Sequence, residues 1–149
     1  MKEKIYTIPL SESYEEDCEC PFCFLEEKLE REQVEYSLGA SMMEPDSRII
    51  SNEKGFCRRH FKAMLEKQEA LSLALVLDTH LNEVVKNLKE AKKSTPSKKL
   101  FKKEDDDKIV SVLKKVNSSC VICEKIDFTM KKFANILLIV LLVVTVALA

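Results

Sequence analysis

Two short motifs constrain this chain more than any other feature: Cys20-Pro-Phe-Cys23 and Cys57-Arg-Arg-His60. A two-residue spacing brings both donor atoms to one side of a tight turn, so each pair can grip a single ion. Together they supply three sulfurs and one imidazole, a closed tetrahedral set for zinc. The 33 residues between the pairs exceed what a minimal finger needs. They suit a helical hairpin whose two starts meet at the metal, with Gly55-Phe56 as the turn that aims the second pair. The expected ligands are Cys20, Cys23, Cys57 and His60. Four protein ligands leave no open coordination position, which makes the ion structural rather than catalytic.

Other readings of the same residues exist. Cysteine is also a small buried hydrophobe, and the spacings could be chance. Cys18 adds a thiol that an iron–sulfur cluster could use, although His60 suits zinc better. Cys20 and Cys23 also match a redox dithiol whose first thiol sits at a helix N-terminus. That fold needs a strand before the motif and a sheet around it, whereas here the acidic stretch SESYEEDCE precedes it and helix formers follow. The start of the chain carries no apolar run of the kind a secretory signal needs, so the expected compartment is cytoplasmic and the expected cysteine states are thiols or metal ligands.

The 149 residues contain only two Gly and no Trp, which argues against turn-rich β folds and glycine-rich phosphate loops. Residues 1–19 read as an irregular acidic lead-in and 20–90 as the zinc-binding helical domain. Within it, Cys23–Leu38 is rich in helix formers, with Leu25, Leu29 and Tyr36 near one face and Gly39 as the stop. Met42–Asp46 reads as a connection, and Pro45 opens a short helix that ends before the Asn52–Gly55 turn. A helix from near Phe56 carries Phe61, Met64 and Leu65 inward. In Ala70–Glu90, Leu71, Ala74, Leu77, Leu81, Val84, Val85 and Leu88 recur at helical spacing. His80 lies on that apolar side as a packed core histidine. No Ser/His/Asp set or inward carboxylate pair emerges, so the expected protein is all-α and not an enzyme.

Charge divides the chain. Residues 1–90 carry 12 Lys/Arg against 19 Asp/Glu, and residues 91–149 carry 12 Lys against 6 Asp/Glu. The stretch 91–108, broken by Pro96, reads as a charged linker. Its lysines have little aromatic interleaving, and nucleic-acid binding is not expected.

Residues 109–132 hold a partial second repeat. Cys120-Val-Ile-Cys123 and the charged start of a helix after it repeat the Cys20 motif at an offset of 100 residues. At the first unit's spacing, a partner C-x-x-H would fall beyond position 149. Cys120 and Cys123 are therefore expected to form an incomplete second site, unless another chain supplies ligands.

Several blocks carry a resemblance: Cys20–Cys23, Glu35–Gly39, Ser41–Asp46, Gly55–His60, Leu73–His80 and Cys120–Asp127. They resemble a family of helical bacterial proteins of unknown function with a CPxC…GFCxxH signature. That family occurs mainly in clostridia and their relatives, and some members are labelled ABC-transporter substrate-binding proteins. The resemblance covers about residues 5–132. It implies a zinc-bound helical protein with two pseudo-repeats and no known activity, or, on the labels alone, a transporter-associated binding component. Relatives of this kind continue into a second GFCxxH, and this chain departs from them after about Lys132.

The last region, Phe133–Ala149, is apolar but for Asn135 and Thr145. Its 17 residues would give a helix of about 25 Å, near the short limit for a hydrocarbon core of roughly 30 Å. Lys131-Lys132 before it fit a cytoplasmic flank. The expected role is an anchor on the inner membrane face. The alternatives are a helix buried in the fold or in an oligomer, and a truncated or frameshifted end. The whole reads as a zinc-stapled helical bundle with a truncated second pseudo-repeat and a C-terminal hydrophobic helix.

Overall fold

The computed structural model describes residues 4–93 and 104–147, and they are helical without strands. The helices are α1 (Lys4–Glu15), α2 (Pro21–Leu38), α3 (Ala40–Met43), α4 (Pro45–Lys54), α5 (Arg58–Glu66), α6 (Ala70–Lys93), α7 (Glu104–Ser118) and α8 (Val121–Ala147). Residues 94–103 of the expected linker lie outside the described residues, as do 1–3 and 148–149.

The chain divides into two compact units. One comprises residues 1–33 and 123–149, the other 34–122, so the division falls inside α2 and inside α8. The first unit corrects the expectation of an irregular lead-in. Lys4–Glu15 is a helix despite Pro9 in its interior. Proline removes one backbone donor and strains the preceding turn, but Tyr6, Leu10 and Ser13 share one face and tertiary burial outweighs the poor local propensity. Leu10 packs with Leu25 of α2 and Phe133 of α8, surrounded by Tyr6, Phe22, Leu29, Met130 and Ile136. The Tyr6 and Phe133 rings meet edge to face at 5.9 Å, the arrangement that sets a positive ring edge against a negative ring face. Lys132 Nζ stands 5.3 Å above the Tyr6 ring and 4.8 Å from the centre of Phe128.

Phe133 therefore belongs to a core, being 1% exposed, and the sequence boundary drawn at that residue falls inside one continuous helix. From Leu138 through Ala147 every residue of the apolar run is exposed.

In the second unit, α6 supplies the longest buried stripe, Leu73, Val76 and His80. The inner face differs from the expected one: Leu71, Leu81 and Val85 are exposed, and only Leu77, Val84 and Leu88 of the expected set are half-buried. Leu71–Leu77 is apolar almost all round, so periodicity alone cannot choose its inner side. Polar anchors choose it. His80 Nδ1–H donates to the Asn52 carbonyl at 2.8 Å, and Thr79 Oγ1–H donates to Asn52 Oδ1, also at 2.8 Å. Arg48 donates to Thr79 Oγ1 at 2.9 Å and to the Leu75 carbonyl at 3.3 Å, which ties α4 along α6. Similarly, on α5 only Met64 of the three expected apolar residues is fully buried, while Phe61 and Leu65 face outward.

Gly55 ends α4 with φ 66° and ψ −157°, a conformation open to glycine and costly for other residues. It is also crowded. A Cβ on Gly55 would lie 2.5 Å from His80 Cε1 and 2.6 Å from Nε2. The junction of α7 and α8 docks here too: the Val121 N–H donates to the Gly55 carbonyl at 3.1 Å, and Ser119 Oγ–H to the Lys54 carbonyl at 2.6 Å. The exposed pair Lys115–Glu53, at 3.0 Å, lies alongside; the hydrogen bond from Lys115 holds the Glu53 carboxyl below its ordinary range. Solvent screening leaves such a pair a small contributor.

Gly55→Ala should destabilise the fold by about 1–3 kcal/mol, from left-handed strain plus the ring clash. Thermal unfolding would register it. Adding His80→Gly should not recover the full loss, because the backbone strain remains.

Candidate metal centre

Three helices begin alike. Cys20, Cys57 and Cys120 each stand immediately before the first helical residue, and Cys23, His60 and Cys123 each occupy the third helical position. At a helix start the capping side chain folds back toward the third residue, so the two donors of each pair converge. Cys57 shows the extended capping backbone, with φ −71° and ψ 164°. Free backbone N–H groups and the helix dipole make this end electropositive, which favours thiolates.

The starts of α5 and α8 are brought together. The ligand atoms of Cys57, His60, Cys120 and Cys123 all lie within 4.8 Å of one another. His60 Nδ1 is 3.2 Å from Cys57 Sγ and 3.2 Å from Cys120 Sγ. His60 is wholly buried and Cys120 nearly so, while Cys57 and Cys123 are half-buried. The other ring nitrogen, Nε2, faces Arg59 at 3.5 Å. Cys120 and Cys123 are joined by the first turn of α8, so their mutual placement follows from helix geometry. The Gly55 turn serves both half-sites: it leads into Cys57 and, through its carbonyl, holds the first amide of α8.

This donor set fits a metal ion. With metal–sulfur bonds of about 2.3 Å and metal–nitrogen bonds of about 2.0–2.1 Å, a tetrahedral ion separates its ligands by about 3.5–3.8 Å. The nitrogen–sulfur distances of 3.2 Å need only a small outward adjustment. As thiolates at two electropositive helix ends, three sulfurs this close would repel one another. A shared cation would resolve that.

The expected quartet of Cys20, Cys23, Cys57 and His60 is thus corrected in its first half. Cys57 and His60 are joined by Cys120 and Cys123, the pair expected to form an incomplete second site. Cys20 and Cys23 are in no group of three or more convergent ligands among the described residues. They form a local pair at the start of α2: the Cys23 N–H donates to Cys20 Sγ at 3.3 Å. Hydrogen bonding from the Cys23 side chain, then from its backbone, pulls the Cys20 thiol down, while its bond to Cys20 and the negative charge there push Cys23 up. The sequence contained the missed signal: the C-x-x-C motif after Ser119 has the same form as the first, and spacing cannot say which C-x-x-C meets the C-x-x-H.

The sequence profile of a family of unknown function, DUF6062, matches residues 1–142. The chain belongs to DUF6062. That match runs through Leu142 and so continues past Lys132, where the resemblance carried by the separate blocks stops. It takes in all three C-x-x-C/H pairs of this DUF6062 chain and most of α8. No curated protein and no solved structure matches the chain.

In metal-free, reduced protein, alkylation should modify Cys20 ahead of Cys23, because its thiolate forms at lower pH. Peptide mapping after a short pulse of iodoacetamide at neutral pH would check the order.

Proposed function

We propose that this is a non-enzymatic helical protein stapled by one structural zinc ion and held at a membrane by the apolar end of α8. The observation that carries the staple is the convergence of Cys57, His60, Cys120 and Cys123 within 4.8 Å from two helix starts, with His60 and Cys120 60 residues apart in sequence. Three thiolates and one imidazole suit zinc among common divalent cations, and a four-ligand set closes the ion to substrate. The ion's work is cohesion: it holds the start of α8 against the Gly55 turn and α5.

The anchor rests on α8. It is the one described helix long and apolar enough to cross a membrane. From Leu138 to Val146 it is exposed, and a row of exposed Leu, Ile and Val on a soluble surface would be costly. Its lone polar side chain there, Thr145, donates to the Leu142 carbonyl at 2.9 Å, which satisfies the hydroxyl inside the helix as a lipid setting requires. Lys131 and Lys132 lie where a basic headgroup flank would be. The inner face of a cytoplasmic membrane is the location this reading assigns.

Native mass spectrometry of the full chain in detergent, with thiol counting, tests the staple. Chelation should remove zinc and unmask the three cysteines of the cluster together. Cys57→Ser or Cys120→Ser should forfeit a large part of the roughly 10–16 kcal/mol that structural zinc supplies, seen as lost helicity or a steep fall in thermal midpoint. A Cys57→Ser protein with unchanged stability and no metal would refute the staple. Stability should also fall with acid, because protons compete with the ion for its ligands and the contribution of the bound metal is lost as pH drops.

Leu138→Lys with Leu142→Lys tests the anchor without touching the Phe133 core, since both positions are exposed. The pair should abolish co-flotation with anionic vesicles while leaving zinc content intact.

A further inference from the structure

Cys20 and Cys23 have the geometry of a metal half-site, and among the described residues no second half converges on them. They hold the same capping and third-position places on α2 that the two converging pairs hold on α5 and α8. Within the chain, two such pairs facing each other make a complete ligand set. Here the sulfurs are already drawn together, the Cys23 N–H donating to Cys20 Sγ at 3.3 Å. Cys23 is exposed and Cys20 half-exposed, so an ion held between them would be reachable from outside. Cys18, the nearest further thiol, is turned back toward the Ser13 carbonyl at 3.9 Å and does not join them.

A zinc-class ion on two thiolates keeps two positions unfilled by protein, and soft or borderline cations favour further thiolates there. The partner that brings an identical pair is another copy of the chain. A two-fold axis through the ion would satisfy both copies by one self-complementary contact. If the exposed end of α8 holds copies on one surface, it raises their effective concentration for such a contact. We propose that Cys20 and Cys23 of two copies close around one zinc ion, in a site of four thiolates that joins them. Four thiol protons leave to solvent as four zinc–sulfur bonds form, and no electrons are transferred.

The inference rests on reading these pairs as metal half-sites, and it is separable from the staple. The full chain in detergent, stripped of metal, reduced and then given zinc chloride, would be compared by native mass spectrometry with Cys20→Ser/Cys23→Ser. The expected wild type is a dimer holding three zinc ions, one in each cluster and one shared. The double variant should be a monomer with one zinc, its dimer reduced at least about tenfold. A dimer with one ion in the wild type and none in the variant would retain the bridge and remove the staple. The bridge is overturned by a zinc-dependent dimer that persists in the double variant, or by a wild-type monomer with one or two ions. It is equally overturned if zinc leaves the alkylation rate of Cys20 and Cys23 unchanged while oxidised glutathione closes them into a disulfide, which would make them a redox pair.

Discussion

Much of the second unit depends on two helix starts pointing at each other. Helices rarely meet end to end at their N-termini, because both ends are positive and both carry unpaired N–H groups. In the proposed staple, thiolates at Cys57, Cys120 and Cys123 would offset that electrostatic cost, and a cation held among them and His60 would remove the remaining repulsion between sulfurs. The start of α5 and the start of α8 can then share one small buried volume around His60, which has no exposed surface. A helical body of this size, with short helices such as α3 and α5, has a modest apolar core on which to rely. The proposed metal staple, between His60 and Cys120 60 positions apart, is the kind of constraint that would compensate.

The Gly55 turn transmits that constraint. It is stacked under the His80 ring, it leads into Cys57, and its carbonyl takes the first amide of α8. His80 in turn is fixed by the Asn52 carbonyl at 2.8 Å. One turn thereby sets the rotation of α6, the direction of α5 and the docking point of α8. His80 is a positioning side chain in the core, buried beside Gly55.

Helix α8 carries two environments along one rod. Its first turn holds Cys123 of the candidate metal cluster, its middle buries Ile126 and Phe133, and its end exposes Leu138 through Val146. The change is set by what α1 and α2 cover: Leu10 and Leu25 reach Phe133, while nothing in the described first unit covers the last three turns. In the proposed anchor, such a helix would pass from a protein core into an apolar medium without a break in its backbone hydrogen bonds, which is the condition a bilayer imposes.

Much of this was legible in the residues. Scarce glycine, helix formers after Cys23 and the period of Ala70–Glu90 determined an all-α chain, and the C-x-x-C and C-x-x-H spacings determined which side chains could act in pairs. The glycine before Cys57 was recognisable as a turn. Tertiary structure alone decided which pairs meet, because spacing describes only the local turn, and two C-x-x-C motifs present identical local turns to one C-x-x-H. It also decided that Lys4–Glu15 is helical despite Pro9, since burial of Tyr6 and Leu10 is a long-range gain that local propensity does not contain. The inner face of α6 was decided by His80 and Thr79 bonding to Asn52, because a nearly uniform apolar run has no preferred side until a polar group fixes its rotation.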